Sequence, residues 1–458
     1  MKINFLDLIV IIIYLIALLA IGLNKYKSKP NNLNQYILSG RKLSLPGLII
    51  TLVATWYGGI LGQGENTYNE GIQTWVIFGL PYYIFAILYA FIFPKRIKKL
   101  KTFSISDHFY QRFGAMPGII SAIFILIIAN PAPYILSLGI LTSYITGISF
   151  QISILLCTII SFSYLWYGGF NAVVKTDYLQ FCLMFLGFAL LLFFSINHTN
   201  FYSMVNQLPT SFITLTDVSS IQYIAVWFFI ALWTFVDPGF YQRVAAAKNS
   251  ETAKKGILIS VFLWFIFDIL TLSTGLYAKA LLPAGDPLLA YPQLGLMVLP
   301  PVIAGLFLTG LLATIMSTID SLGFISGLTF GYDILWRIES KDLTSETNKT
   351  PKEYIRKGLI VSGFISLALV FSVPSVVKLW YTIGSILIPG LLLPFLLSFS
   401  DLKINISFSM IFPVIVSSVW FLFGHLTGNY PLHLEPFYPG IVTSFCFITI
   451  SILNAKRN

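Results

Sequence analysis

The chain has 458 residues, of which 57% are hydrophobic and only 10% are charged. This balance lies outside the range of soluble globular proteins and predicts a protein of the lipid bilayer. At about 20 residues per membrane-spanning helix, the chain holds roughly a dozen helices, which excludes an additional soluble domain. The net charge is +10, but the basic residues cluster between apolar runs, which indicates membrane topology rather than nucleic-acid binding.

The apolar runs recur at membrane-spanning spacing, and we expect an all-α polytopic membrane protein. The first run lacks a small-residue cleavage pattern and carries Asp7 near its start, so we interpret it as a retained helix rather than a signal peptide. Residues 1–458 then form a single transmembrane domain. The thirteen predicted spans are 4–24, 44–68, 71–93, 117–145, 149–168, 173–196, 218–238, 255–281, 297–334, 358–375, 377–398, 405–424 and 438–454.

The distribution of charge predicts the orientation in the membrane. An odd number of spans puts the termini on opposite sides, and the positive-inside rule selects between the two choices. With the N-terminus outside and the C-terminus in the cytoplasm, 25 of the 28 Lys and Arg residues lie inside, Arg243 among them. Only Lys2, Lys279 and Lys378 lie outside. We interpret nearly all of the inside charges as a solvated rim near anionic lipid headgroups.

The second span contains the first marked interruption of the apolar pattern. Residues 58–64 include four glycines in seven positions, with Gln63 among them and Glu65 directly after. Such a segment weakens a helix in its middle, and open backbone survives in a bilayer only where it faces protein or a water-filled cavity. Close packing of helices through small residues is the alternative explanation.

Two further irregular segments follow in the sixth and seventh spans. Asp177 lies close to Lys175 at the start of the sixth span, where it is either a functional group or a capping or ion-paired residue. Pro238 and Gly239 predict that the seventh span ends or kinks near the cytoplasmic side. Asp268 in the eighth span and residues 130–133 (Asn-Pro-Ala-Pro) in the fourth have no assigned role.

Polar side chains also interrupt the ninth span, at Ser317, Thr318, Asp320 and Ser321. Residues three apart share one face of a helix, so hydroxyl groups stand beside a carboxylate. Hydroxyl groups often bond back to their own helix, but this does not account for Asp320. A carboxylate in an apolar span is a candidate functional group that needs a cation, a proton or a hydrogen-bonded partner.

The interrupted second and seventh spans stand five spans apart, as expected if spans two to six and seven to eleven are two halves in inverted orientation. Interrupted helices at corresponding positions of two halves indicate the central binding site of a secondary transporter. Carbonyl and hydroxyl groups are hard, neutral oxygen ligands, and they suit Na⁺ better than a soft metal.

At this point the chain resembles the sodium/solute symporter family, nearly from end to end. The segments that carry the resemblance are 40–43, 54–59, 168–180, 242–243 and 316–321. Within the family, residues 54–59, 240–243 and 434–439 look most like the choline-transporter branch and its uncharacterised bacterial relatives.

The resemblance implies a leucine-transporter-type core of five plus five helices, with repeats at 44–196 and 218–398. A leading helix at 4–24 and two trailing helices at 405–454 flank this core. It also implies Na⁺-coupled symport of a small organic solute by alternating access across a plasma membrane, expected to be a bacterial inner membrane. An enzyme is not expected, and no obligate protein partner is evident.

The resemblance further implies where Na⁺ binds. The principal site would combine backbone carbonyl groups of Ala54, Tyr57 and Thr314 with the hydroxyl groups of Ser317 and Thr318. Some family members have a second Na⁺ site. Its counterparts here are Asp177, Ser317, Asp320 and Ser321, with the carboxylate of Asp320 at a position where the relatives have a hydroxyl.

The departures from the family bear on the solute. Ile60 and Leu61 stand where sugar-carrying relatives have polar side chains, which disfavours a sugar. Trp56, Tyr57 and Trp233 would form an aromatic box suited to a quaternary ammonium group, although most aromatic residues of the chain are expected to serve packing. Gln63 and Glu65 would meet the solute or line the entrance.

Two other functions remain open on sequence alone. A proton-coupled carrier is the nearer one, because Asp177 and Asp320 would take a proton in place of a second Na⁺. An uncoupled channel or receptor-like protein with the same fold is the other.

Overall fold

The computed structural model describes residues 3–23, 33–215, 221–341, 350–402 and 404–457. Several predicted positions lie outside these ranges, namely residue 24 of the first span, residues 218–220 of the seventh, and Lys2, Lys25, Lys27, Lys29, Lys349 and Lys403 of the topology count.

Each of the thirteen predicted spans coincides with helix, which confirms the predicted all-α membrane fold. Eleven helices in the described part of the chain are long and apolar enough to cross a bilayer, and a bent pair and a shorter apolar helix complete the set. The spans are α1 (Phe5–Leu23), α2 (Leu45–Trp56 and Ile60–Glu70), α3 (Gln73–Ile92), α4 (Ala115–Thr146), α5 (Phe150–Gly168), α6 (Phe170–His198), α7 (Ile221–Ala246), α8 (Ser250–Leu281), α9 (Ile303–Glu339), α10 (Pro351–Ser372), α11 (Val376–Leu397), α12 (Ser407–Thr427) and α13 (Phe437–Arg457). Short helices between the spans include Leu33–Leu38, Pro94–Lys99, Ile105–Phe113, Phe201–Asn206 and Ala290–Val298.

Helix α9 lies at the centre of the bundle. The most apolar 18-residue stretch of α9 is 89% buried inside the protein, whereas the corresponding stretches of α1 and α13 are 28% and 22% buried. Small residues allow this, since a Cβ atom on Gly310 would lie 2.6 Å from the backbone oxygen of Leu183 on α6. Asp7 of α1 holds the start of α9, because its carboxylate accepts the N–H groups of Val302 at 2.7 Å and Gly305 at 2.9 Å.

Helix α4 is broken where the sequence has its Asn-Pro-Ala-Pro segment. The amide oxygen of Asn130 accepts the N–H of Ala132 at 3.0 Å and the hydroxyl of Ser366, on α10, at 3.0 Å. The kink therefore has a structural role, because Asn130 joins the two halves of α4 and links them to α10.

The predicted interruption of α7 at Pro238 is present, but the span continues to Ala246, beyond the predicted boundary at residue 238. Pro238 occupies the first turn of a new helical segment, where its missing N–H group is not needed, and Asp237 caps that segment. Arg243 consequently lies inside the bundle with 1% exposure, so its placement in the solvated rim is also wrong.

Backbone contacts on the side predicted to be cytoplasmic join the start of α2 to the end of α7. The N–H of Leu43 donates to the carbonyl of Ala246, and the N–H of Lys248 donates to the carbonyl of Leu43, both at 3.0 Å. The ammonium group of Lys98 donates to the carbonyl of Ala247 at 2.6 Å. These contacts close the bundle at this end.

Candidate ion and solute site

The predicted break in the second span is present and sharp. Helix α2 ends at Trp56, resumes at Ile60 and bends by 56° between the two segments. The break depends on close neighbours, because a Cβ atom on Gly58 would lie 2.3 Å from Thr318 and one on Gly59 would lie 1.9 Å from the ring of Trp380. Two glycines therefore let α9 and α11 approach the backbone of α2 directly.

The break leaves main-chain oxygen atoms open next to α9. The helix stops at Trp56, so the carbonyl groups of its last turn, which includes Ala54, lack the following helical amides. The hydroxyl of Thr318 donates to the neighbouring carbonyl of Thr55 at 2.7 Å. Tyr57 has left the helix, and its carbonyl accepts the N–H of Ile60 at 3.0 Å.

The α9 residues predicted for the principal Na⁺ site are all buried, with exposures of 0% for Thr314 and Ser317 and 1% for Thr318. The hydroxyl of Thr314 donates back to the carbonyl of Gly310 at 2.7 Å, so its side chain is engaged with its own helix. The hydroxyl of Thr318 also lies 3.5 Å from the carbonyl oxygen of Thr314. Thr318 thus stands between oxygen atoms of α2 and of α9, which is an arrangement that a small cation can bridge.

Asp177 joins the same region through hydroxyl groups. Its carboxylate accepts the hydroxyl of Ser317 at 2.6 Å and the hydroxyl of Thr51. Arg243 completes the network, because its Nη2 donates to the hydroxyl oxygens of Thr55 at 2.7 Å and Ser321 at 2.8 Å. The same nitrogen also lies 3.0 Å from the hydroxyl of Thr51, so a single hydroxyl separates the guanidinium from the carboxylate.

Asp320 bonds elsewhere, although it is fully buried on the same helix. Its carboxylate accepts the hydroxyl of Tyr164 on α5. Within the described ranges it makes no hydrogen bond to the other residues predicted for the second ion site. The structure therefore brings Asp177, Ser317 and Ser321 into one network and leaves Asp320 outside it.

Asp268, which had no role on sequence alone, holds both halves of α2. Its Oδ1 accepts the hydroxyl of Tyr57 at 2.9 Å and the amide of Gln63 at 3.1 Å, and its other oxygen accepts the hydroxyl of Tyr83 on α3. Tyr57 lies in the break, and Gln63 lies in the first turn of the segment that follows it. The carboxylate on α8 therefore fixes the geometry of the break.

A cavity of about 140 Å³ lies beside the break. It contains Trp56, Tyr57, Gln63 and Trp233, which are four of the residues predicted to meet the solute or line its path. The remaining lining residues are Leu52, Thr55, Gly59, Phe78, Tyr82, Ile128, Tyr134, Trp227, Ile230, Thr234, Asp237, Gly239, Phe240, Arg243, Leu322 and Trp380. Glu65 lies farther along α2 and does not line this cavity.

The aromatic walls are packed against one another. Trp56 stacks on Trp264 with 4.7 Å between ring centroids and meets Tyr82 edge-on at 5.2 Å. Phe78 meets Trp227 edge-on at 4.9 Å. Each of these rings is fixed by a neighbour, so the cavity is pre-formed and mostly apolar, as solute sites commonly are.

Sequence reasoning missed two charged residues of the site, Asp237 and Arg243. The motif at 240–243 was part of the family resemblance, but the predicted helix end placed it at the membrane surface. The capping pattern of Asp-Pro at 237–238, which starts a helix as readily as it ends one, is the signal that identifies them.

A broken helix packed on a polar central helix, with a solute-sized cavity beside the break, defines the class of secondary transporters. The fold agrees with solved structures of that class. A substrate-bound Na⁺-coupled sialic acid symporter aligns with a TM-score of 0.79 at 21% identity, over 99% of this chain and 98% of that one. Mhp1, a nucleobase-cation-symport-1 family transporter, aligns with a TM-score of 0.61 at 13% identity, over 92% of this chain and 93% of that one.

The family follows from the sequence comparison. The model of the sodium:solute symporter family matches residues 36–411, and the chain belongs to that family. The sodium/proline symporter of Staphylococcus aureus (strain JH9) is 24% identical over 399 residues, which cover 81% of this chain and 76% of that protein. The chain is therefore a membrane transporter of the sodium:solute symporter family and not an enzyme.

Proposed function

We propose that the protein imports a small organic solute together with Na⁺ across a bacterial plasma membrane. The observation that carries the proposal is the position of Thr318, whose hydroxyl donates to the carbonyl of Thr55 at 2.7 Å, in the last turn before the break of α2 beside the cavity. An ion bound there would contact both helices and lie next to the solute. The geometry thus supports a coupling of ion and solute binding.

In this proposal, five groups hold the ion. They are the carbonyl oxygens of Ala54, Tyr57 and Thr314 and the hydroxyl oxygens of Ser317 and Thr318. All five are uncharged, so a monovalent cation meets them without replacing a buried ion pair, and their hard oxygen atoms favour Na⁺.

The transport cycle would use alternating access between two repeats, 44–196 and 218–398. The proposed ligands come from both repeats, so bound Na⁺ favours the state in which α2 and α9 are in contact. The backbone contacts of Leu43 with Ala246 and Lys248 join the start of α2 to the end of α7 in this structure. We propose that loss of Na⁺ to the cytoplasm allows these contacts to open and the solute to leave.

A second Na⁺ near Asp177, Ser317 and Ser321 stays a prediction. Arg243 already supplies a positive charge to this network, and Asp320 bonds to Tyr164 instead. A cation in the network would therefore need Arg243 to move. The orientation with the N-terminus outside also stays a prediction, and it rests on the charge distribution.

The test uses purified full-length protein and Na⁺ alone. Thermal unfolding is measured in equimolar NaCl and KCl, and Na⁺ is expected to raise the unfolding temperature because it binds only the folded state. Thr318→Val preserves the shape of the side chain and removes its oxygen. We expect it to weaken the apparent Na⁺ affinity by about tenfold or more, which corresponds to about 1.4 kcal/mol.

Thr309→Val is the matched control on the same helix. Thr309 is buried, and its hydroxyl bonds only to its own helix, at the carbonyl of Gly305. The control variant should keep the full Na⁺ response. If Na⁺ and K⁺ stabilise the wild type equally, or if Thr318→Val responds like Thr309→Val, the proposed ion site is wrong. Uptake that needs a proton gradient but not Na⁺ would favour the proton-coupled alternative.

A further inference from the structure

Asp237 carries a negative charge that helix capping does not require. It lies at the interruption of α7, and its Oδ1 accepts the N–H of Phe240 at 2.8 Å as the cap of the helical segment Pro238–Ala246. Ser, Thr or Asn caps a helix about as well as Asp does, so the cap alone does not require a charge. The side chain is also partly exposed, and it lines the 140 Å³ cavity.

The carboxylate of Asp237 has no ion-pair partner within 4.0 Å in the described part of the chain. It is the one acidic residue among those that line the cavity, and Arg243 is the one basic residue. The charge of Arg243 is shared, because it acts on Asp177 as well as on Asp237, and its guanidinium donates to Thr55 and Ser321 and, at 3.3 Å, to the carbonyl of Gly239. Two carboxylates therefore share one guanidinium, and a charge inside a membrane protein is unfavourable unless a partner balances it, so the cavity has an anionic group that a cationic ligand would balance.

The walls around this carboxylate suit an organic cation. Nine of the twenty residues that line the cavity are aromatic, among them Trp56, Tyr82, Tyr134 and Trp233. Aromatic faces attract ammonium groups, most strongly where water is excluded. The amide of Gln63, one of the polar groups of the lining, is already engaged with Asp268 and Thr271.

We propose that Asp237 is the counter-ion for an ammonium group of the transported solute, and that the solute is a compact organic cation or zwitterion. This inference rests on the proposed symport function and deepens it. The cavity volume of about 140 Å³ is close to that of a cavity that holds one benzene molecule, so the ammonium-bearing part of the solute is small. Asp237 binds the positive charge of the ammonium group, and the aromatic rings enclose the alkyl groups on the ammonium nitrogen.

The experiment compares charged and uncharged probes of the same shape. Purified full-length protein is titrated in NaCl with choline, with L-proline, and with 3,3-dimethylbutan-1-ol, the uncharged carbon analogue of choline, and thermal unfolding is followed. At least one of the two ammonium-bearing probes should raise the unfolding temperature, and the uncharged analogue should not. Asp237→Asn keeps the capping oxygen and removes the charge, and we expect it to weaken binding of that probe roughly ten- to hundredfold.

Three further variants make the result specific. Asp286→Asn is the matched control, because Asp286 also caps a helical turn, through the N–H of Leu288 at 3.0 Å, but does not line the cavity. Asp237→Glu keeps the charge and should restore part of the probe binding. Asp237→Ser keeps a capping group and serves in place of Asp237→Asn if that variant does not fold.

The response to Na⁺ without any probe separates this inference from the proposed function. Asp237→Asn should keep the Na⁺ response while it loses the response to the ammonium probe. The inference is overturned if neither ammonium probe stabilises the wild type, if the uncharged analogue stabilises it equally, or if Asp237→Asn binds the probe like the wild type. It is also overturned if Asp237→Asn abolishes the Na⁺ response alone, because Asp237 would then belong to the ion site.

Discussion

Helices α2 and α7 are both interrupted near the cavity, but their interruptions arise in different ways. In α2, Gly58 and Gly59 leave the backbone open, and Thr318 and Trp380 from other helices occupy the space. In α7, Asp237 caps the next segment with its own side chain, and the span continues as a single unit of 26 residues. The first interruption depends on neighbouring helices, whereas the second is satisfied within its own chain segment.

This difference suggests a division of roles between the two helices. The open break of α2 presents carbonyl oxygen atoms, which suit a small metal cation. The self-capped interruption of α7 presents a carboxylate, which suits a charged organic group. Substitutions in neighbouring helices should therefore affect α2 and the ion, while only residues of α7 itself should affect the interruption at Asp237.

Arg243 gives the largest expected effect, because it connects the two interrupted helices. Arg243→Met removes the charge that balances Asp177 through the hydroxyl of Thr51. Removal of one partner from a buried charged network destabilises a protein by about 3–5 kcal/mol, and we expect a lower unfolding temperature.

A second substitution tests the cause. Asp177→Asn in the Arg243→Met background removes the unbalanced carboxylate and should recover part of the lost stability. Arg112→Met is the control, because Arg112 donates to the carbonyls of Ser400 and Leu402 near the protein surface, and it should be much milder. No recovery in the double variant would show that Arg243 acts through packing rather than charge.

Gly59 gives the next largest effect and tests the dependence of α2 on its neighbours. In Gly59→Ala the new methyl group would lie 1.9 Å from the ring of Trp380, so either that ring must move or α2 and α11 must separate. Overpacking of this kind lowers the free energy of unfolding by about 1–3 kcal/mol, and the Na⁺ response should weaken with it.

The clash is local, so a smaller neighbour should relieve it. We expect Gly59→Ala with Trp380→Leu to unfold at a higher temperature than Gly59→Ala alone. Gly363→Ala is the control in α10, where the new methyl group would meet its nearest neighbour, on Thr158, at an ordinary 3.8 Å. If both alanine variants behave alike, the break in α2 does not depend on the approach of α11.

Sequence patterns predicted the spans well because hydropathy and length are set by the bilayer itself. The break in α2 could be predicted equally well, since glycine and polar residues are rare together inside an apolar span. The interruption of α7 was placed correctly, but whether it ends or kinks the span stayed open. Asp237–Pro238 ends one helical segment and starts another, and which of these dominates depends on what the following residues contact.

The partners of the buried charges were beyond the reach of sequence. Asp320 is three residues from Ser317, and this spacing indicated a common site. The structure instead pairs Asp320 with Tyr164 of α5 and Ser317 with Asp177 of α6, because the two side chains meet different neighbouring helices. Spacing within one helix fixes direction only approximately, and the neighbours decide which groups bond.

Asp268 gives the smallest expected effect, and it tests the interruption of α2, because its carboxylate accepts hydrogen bonds from Tyr57 and Gln63. In Asp268→Asn, the amide oxygen still accepts the hydroxyl of Tyr57 and the amide of Gln63, but the charge that strengthens both bonds is lost. We expect a loss of about 1 kcal/mol in the free energy of unfolding, with a measurable decrease in Na⁺ affinity because Tyr57 is a proposed ligand.

Tyr83→Phe is the control, since it removes a hydrogen bond to the same carboxylate from α3 without touching α2. A thermal titration with Na⁺ should show a weaker response for Asp268→Asn and a normal one for Tyr83→Phe. Equal Na⁺ responses in the two variants would mean that the carboxylate stabilises the bundle in general and does not set the geometry of the α2 break.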